Sequence, residues 1–190
     1  MTNQLRKAFD RFVILEDSEW QKVEDIVTIK EYKRGEYFVK EGNECPYVGF
    51  IFSGLFRYYY LIDGQQHTRQ FFFSNNFMAN YQSYITNEKS KAWIEALEDA
   101  TVILIHREHL TRLYKESMNS QKLGRKVAEY LFMIVSTKYE SFLLESAEQR
   151  YLDLIKNRPK VIQNIPQYMI ASYLGITPEG LSRIKKRLYK

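Results

Sequence analysis

Between Thr28 and His106 the chain reads as a series of short β-rich runs, and no other feature restricts its fold as much. The runs lie at 28–32, 37–39, 47–52, 55–62, 66–73, 92–97 and 101–106. Turn signals separate them: Arg34-Gly35-Glu36, Glu41-Gly42-Asn43, Ser53-Gly54, Asp63-Gly64 and Ser74-Asn75-Asn76. Asp-Gly between two such runs favours a two-residue hairpin, because both positions of that turn need positive φ. Regular short strands with these turns predict an antiparallel β-barrel or β-roll. Phe71-Phe72-Phe73, Met78, Tyr81 and Tyr84 give it an aromatic, apolar interior, although alternation must turn part of the Phe run outward.

Helical periodicity flanks the roll. Residues 3–25 read as helical, with Leu5, Phe9, Phe12 and Val13 on one face and then Trp20, Val23 and Ile26. A short helix is expected at 107–115 and a long one at 119–143. On the long helix Leu123, Val127, Tyr130 and Ile134 form one stripe, with Ala128, Leu131 and Val135 beside it. So wide an apolar surface suits burial on two sides, one against the roll and one against a partner helix. Leu123, Val127, Tyr130, Leu131 and Ile134 are therefore the expected seam of a homodimer. Ala147, Tyr151, Leu154 and Ile155 mark a further helix that ends at Asn157-Arg158-Pro159. The expected partition is a sensor roll at 1–118, a dimerisation helix at 119–143 and a DNA-binding domain at 144–190.

From Ile165 to Lys190 the pattern is that of a helix-turn-helix. Ala171 is small where two helices would cross, and Gly175 supplies the turn. Ile170, Leu174, Ile176, Leu181, Ile184 and Leu188 form the seam. Thr177 can cap the second helix, Pro178 suits its first turn and Glu179 its positive dipole end. That helix carries Gly180, Ser182, Arg183, Lys185, Lys186, Arg187 and Lys190. Charge agrees: residues 151–190 hold eight Lys/Arg against two Asp/Glu, a net +6, while residues 1–150 hold 20 against 21. A polyanion is the expected partner of such an end.

Composition removes other classes. No apolar run is long enough to span a bilayer, and the first residues lack the apolar stretch of a signal peptide, so a cytoplasmic protein without a membrane partner is expected. The one cysteine, Cys45, excludes an intrachain disulfide framework and a four-thiolate cluster. His106-x-x-His109 is spaced like a ligand pair, but no Cys, Asp or His motif completes a metal set. Neither a Gly-x-Ser-x-Gly elbow, a phosphate-binding loop nor a dinucleotide fingerprint is present. No enzyme activity, metal or cofactor is expected. The alternatives to a DNA-binding regulator are a small-molecule sensor acting through protein contact and, less favoured, a cupin-like metalloenzyme.

The order helix, β-roll, long helix, helix-turn-helix resembles the CRP/FNR family of bacterial transcription regulators over nearly the whole chain. Arg34-Gly35-Glu36, Glu41-Gly42 and Ser53-Gly54 match the turns of that family's cyclic-nucleotide-binding roll, a jelly-roll fold of α+β class. Ala92-Trp93-Ile94-Glu95-Ala96 resembles the strand after its phosphate cassette, and Ser146-Ala147-Glu148-Gln149-Arg150-Tyr151 the start of its hinge-side helix. The resemblance implies a homodimer that reads an inverted repeat in double-stranded DNA and can contact RNA polymerase.

It also implies where a ligand would sit. The family's cyclic-AMP sensors use a Gly-Glu pair and an Arg-Ser pair, which fall here on Ala79-Asn80 and Ser90-Lys91. The glycine that admits the phosphate, the glutamate that takes the ribose hydroxyl and the arginine that forks the charge are all replaced. The purine contact falls on Val135-Ser136. With Met78 and Tyr81, these residues outline a degenerate pocket that does not answer to cyclic AMP and whose effector, if it has one, is another small molecule. On the DNA side, Glu179 and Arg183 match the family's base-reading pair, and Pro178 replaces an arginine. Gln167, Thr177, Pro178, Glu179, Gly180, Ser182, Arg183 and Lys186 are the expected DNA-facing set. The family's β-hairpin wing finds no counterpart before Lys190, so backbone contacts are expected from the recognition helix, Gln167 and the basic tail.

Overall fold

The computed structural model describes residues 1–188, so Lys190 of the expected basic tail lies outside the described residues. The first 24 residues form two helices where periodicity predicts one: α1 (Thr2–Asp10) and α2 (Asp17–Glu24). The break has a physical reason. Val13 and Leu15 are buried while Ile14 between them is 77% exposed, an alternation that suits extended backbone. The amide of Glu16 then donates to the Glu19 carboxylate at 3.0 Å and starts α2.

Each expected strand forms. They are β1 (Val27–Tyr32), β2 (Tyr37–Val39), β3 (Tyr47–Ser53), β4 (Leu55–Ile62) and β5 (Gln65–Phe73), then β6 (Phe77–Met78), β7 (Trp93–Ala96) and β8 (Ala100–His106). β6 and the short helix α3 (Tyr81–Thr86) had no periodicity long enough to announce them. Two four-stranded sheets result, ordered β1-β8-β3-β6 and β2-β7-β4-β5. The β1–β8, β3–β8, β3–β6 and β2–β7 pairings are antiparallel. Gly54 joins β3 to β4 at φ 114°, and a Cβ there would lie 2.3 Å from that of Ala100, so only glycine fits this corner. The α+β class with an antiparallel roll and a long following helix is the observed one.

By its internal contacts the chain divides into two units, 1–58 with 71–132, and 59–70 with 133–190. In the first, α1 and α2 cover the face of β3 and β8. Leu5, Phe9, Trp20 and Val23 pack with Phe50, Ile103 and Ile105. Phe9 stacks on Phe77 with ring centres 5.4 Å apart. α4 (Arg107–Glu116) adds Leu110 and Leu113, and the start of α5 (Met118–Leu144) adds Leu123. The boundary between units falls within α5, whereas the sequence suggested a separate segment at 119–143.

The second unit holds the tip of the β4–β5 hairpin, turned by Asp63 (φ 50°) and Gly64 (φ 74°) as the Asp-Gly signal requires. It also holds the end of α5, then α6 (Ala147–Asn157), α7 (Pro159–Asn164), α8 (Gln167–Leu174) and α9 (Pro178–Leu188). Ser146 and Gln149 cap α6 reciprocally, each side chain accepting from the other's amide. Pro159 ends one helix and starts the next, a position where its missing N–H has no intrahelical partner to lose.

Candidate nucleic-acid interface and roll interior

The helix-turn-helix is built as its residue types require. Ile170, Ala171, Leu174, Leu181 and Ile184 are buried between α8 and α9. α8 ends on Gly175 at φ 72°, and the amide of Ile176 returns to the carbonyl of Ala171 at 3.0 Å. A Cβ on Gly175 would sit 2.8 Å from the Phe142 ring, so the turn needs glycine for space as well as for φ. Arg150 lies over the same ring at 4.6 Å and donates to the carbonyls of Glu145 and Leu174. It ties the end of α5 to the end of α8. No periodicity singles out Arg150, because its partners are backbone carbonyls, one five and one 24 residues away.

α9 begins with the Thr177 hydroxyl accepting from the amide of Gly180 at 3.1 Å. The backbone amide of Glu179, then the Thr177 hydroxyl and Arg183, hold the Glu179 carboxyl below its usual range. The Glu179 side chain is exposed at the first turn of α9. Thr177, Pro178, Ser182, Arg183 and Lys186 are exposed, and Gly180 is half-buried. The rest of the basic run is engaged locally. Lys185 donates to Gln167 at 3.2 Å and Arg187 pairs with Glu148. Among the described residues of α9, Arg183 and Lys186 are therefore the cations that project outward.

The proposed phosphate cassette is closed on itself. Asn80 caps α3, accepting from the amide of Ser83, and donates to the Ser90 hydroxyl at 2.7 Å. Ser90 in turn donates to the carbonyl of Ala92 at 2.7 Å. Ser83 accepts from the amide of Cys45 and donates to the carbonyl of Glu88. Met78 is buried, Ala79 is half-buried, and Tyr81 stacks on Tyr84 with centres 6.0 Å apart. Burial pushes the Tyr81 and Tyr84 hydroxyls and the Cys45 thiol upward. The structure thus brings Asn80 and Ser90 together, but Lys91 is exposed. Val135 is 51% exposed on α5, and Ser136 donates to Glu140.

The residues of the expected seam lie in differing surroundings within the protomer. Leu123 is buried in the first unit's core, and Val127 packs against that core. Tyr130 meets Phe12 edge-on at 5.5 Å. Leu131 and Ile134 are half-buried. Within that stripe the core takes Leu123 and Val127, while Tyr130 stays 52% exposed. The outward stripe holds Phe132 (69% exposed), Val135 and Tyr139 (65%).

Among the described residues no group of three or more His, Cys, Asp and Glu could hold a metal ion, and no helix is long and apolar enough to cross a membrane. His106 accepts from the amide of Glu108, and its ring centre lies 5.8 Å from that of His109.

Comparison with known proteins agrees with this architecture. The sequence model of the cyclic nucleotide-binding domain matches residues 29–117. No curated protein matches the sequence. Among solved structures, a transcriptional regulator of the crp/fnr family from Eubacterium rectale aligns with TM-score 0.71 at 19% identity, covering 92% of this chain and 84% of its own. FixK2 from Bradyrhizobium japonicum aligns with TM-score 0.70 at 20% identity over 86% of this chain and 85% of its own. The c-di-GMP responsive regulator CLP from Xanthomonas campestris aligns with TM-score 0.68 at 14% identity over 92% of both chains. Residues 29–117 are thus similar in sequence to the cyclic nucleotide-binding domain, and the chain has the fold of the CRP/FNR transcriptional regulators.

Proposed function

We propose that the chain is a homodimeric, sequence-specific DNA-binding transcription regulator whose roll does not respond to cyclic AMP. The observation that carries this reading is the outward face of α9. Glu179 is exposed at the first turn, and Arg183 and Lys186 project from the same helix. A carboxylate can accept from a cytosine edge, a guanidinium can fork onto guanine, and an ammonium suits a phosphate. The half-buried Gly180 between Glu179 and Leu181 keeps the surface low where a groove floor would approach.

Dimerisation is supported by α5. Ala128, Phe132, Val135, Tyr139 and Phe142 follow a four-three-four-three spacing, the repeat of a two-helix seam. A second copy of the same helix is the occupant that matches this repeat along its length. A two-fold dimer would read an inverted repeat with half-sites about 34–36 Å apart.

The closed Asn80–Ser90 cassette supports a roll that lacks the phosphate grip of a cyclic-AMP sensor. CLP, described as c-di-GMP responsive, shows that a protein of this fold can answer to a different ligand. RNA polymerase remains the natural protein partner of such a regulator. Binding-site selection on random duplex DNA, followed by anisotropy titrations from low to high salt, tests the reading. Enrichment of a two-fold symmetric site, with affinity falling steeply as salt rises, is the expected result. Salt-dependent binding with no enriched sequence would reject specific regulation, and no binding at low salt would reject DNA as the partner.

A further inference from the structure

We propose that Lys138 is a covalent acceptor for dissolved carbon dioxide, its amine forming a carbamate stabilised by the guanidinium groups of Arg69 and Arg158. The chemistry stands on this side-chain cluster and does not depend on whether the chain binds DNA.

Four elements of the second unit bring the cluster together. α5 supplies Lys138, β5 supplies Arg69, the end of α6 supplies Arg158 and α8 supplies Tyr173. Lys138 is half-buried and donates to the backbone carbonyl of Arg69. Its nitrogen lies 3.7 Å from the centre of the Tyr173 ring and 5.8 Å from that of Phe142. Arg158 meets the same tyrosine at its rim, donating to the Tyr173 hydroxyl at 3.1 Å and to the Gln70 side chain at 2.8 Å. Arg69 donates to the Tyr60 hydroxyl at 2.8 Å. Three cationic side chains thus share one neighbourhood. Among the described residues no carboxylate pairs with Lys138.

An ammonium drawn out of water normally takes a carboxylate with it. Here the Arg69 carbonyl and the aromatic faces favour the ammonium. Burial and the two guanidinium charges oppose it. The opposing side wins: burial first, then Arg158 and Arg69, bring Lys138 from its ordinary value down to about 7. At pH 7.5 most such amines are neutral, against roughly one in a thousand for a lysine in water. A neutral amine among positive charges is matched to a reaction whose product is an anion.

Carbon dioxide gives that product. The Nζ lone pair attacks the carbon, an N–C bond forms, and one C=O electron pair moves onto oxygen. The nitrogen releases one proton to water, so the neutral amine becomes a carbamate with a single negative charge. One N–H remains and can keep donating to the Arg69 carbonyl. The guanidinium charges that repel the ammonium attract the carbamate. Acylation would leave a neutral amide, to which those charges offer nothing. Carbon dioxide is also small and uncharged, so a half-buried amine stays within its reach.

The test equilibrates the full chain with carbon-13-labelled bicarbonate and carbon dioxide at pH 7.5. Carbamates are trapped as ethyl esters with triethyloxonium ion and mapped by peptide mass spectrometry, and carbon-13 NMR reads the untrapped adduct. Lower basicity returns part of the advantage in neutral amine, so Lys138 should carry about tenfold more ester than any other lysine. At fixed carbon dioxide pressure the adduct should increase as pH rises through 7. Lys138→Arg should lose the resonance. Arg158→Gln and Arg69→Gln should each lower occupancy about fivefold. Arg69 is exposed, so its variant serves if Arg158→Gln does not fold. Ester at Lys138 no higher than at other lysines would overturn the proposal. Selective ester that neither glutamine variant reduces would reject the role of the guanidinium groups.

Discussion

At the scale of single residues, two positions carry consequences that sequence pattern alone would not reveal. Lys138 is pushed from its ordinary value down to about 7, first by burial and then by the like charges of Arg158 and Arg69. The Tyr173 ring face favours the ammonium and opposes that shift. A base with a lowered folded pKa destabilises the fold, because the unfolded chain binds the proton better. The penalty is complete below pH 7 and fades as pH rises from about 7 towards 10.5. Lys138→Met should therefore raise stability at pH 7 by on the order of 1–2 kcal/mol. Thermal melts of both proteins at pH 7 and pH 10 should show the difference shrinking with pH, and a constant difference would place the effect in packing. Gly180 is the second position. It sits within α9, where a Cβ would meet Thr177 Oγ1 at 3.5 Å and Ile176 Cβ at 3.6 Å, ordinary contacts that the fold tolerates. Gly180→Ala should stabilise the helix by about 1 kcal/mol. If the groove floor approaches this point, the same change lowers DNA affinity while the melting temperature rises, and paired melting and binding curves separate the two effects.

At the scale of the element, α5 shows how one helix serves two surfaces. Its first turns insert Leu123 into the core shared by α1, α2, α4, β3 and β8. On the opposite side, Phe132 and Tyr139 remain 69% and 65% exposed. The two stripes predict different failures. Leu123→Ala removes buried side-chain volume and should cost about 2–5 kcal/mol of stability, measurable by denaturant titration. Phe132→Glu and Tyr139→Glu should leave the protomer folded and produce monomer, read by light scattering at matched concentration. Soluble dimers of both glutamate variants would place the seam elsewhere.

At the scale of the whole molecule, charge and chemistry are segregated along the chain. The excess positive charge lies in the last 40 residues, and α9 turns Arg183 and Lys186 outward from it. Arg183→Ala should cost about 1–3 kcal/mol on the preferred site and relax preference at one base pair. Lys186→Ala should weaken all sequences nearly equally and reduce the salt slope by about 1. Site selection with both variants at fixed salt distinguishes reader from phosphate contact. The roll carries no comparable cation in its cassette: Lys91 is exposed, and Asn80 and Ser90 satisfy each other. Calorimetry with cyclic AMP should show no saturable heat at micromolar ligand. A stoichiometric titration would overturn this reading, and the Asn80–Ser90 bond would then have to open to admit phosphate.

The sequence by itself determined the local structure. Strand positions followed from short alternating runs and turn residues, because Gly and Asp-Gly are tied to backbone conformations that other residues resist. The helix-turn-helix followed for the same reason: Ala171, Gly175 and Thr177 each satisfy a local requirement. Only the tertiary structure decided questions that depend on who meets whom. The break between α1 and α2 came from the core drawing in Val13 and Leu15. On α5 the core took Leu123 and Val127 and left Phe132 and Tyr139 exposed. Asn80 and Ser90 became partners only when α3, itself too short to read, brought them within 2.7 Å. Ser172, Lys138 and Arg158 gave no signal at all, since their partners are backbone and side-chain groups of a hairpin 69 to 106 residues away in the chain. Periodicity records which side of an element is apolar; it does not record what that side will touch.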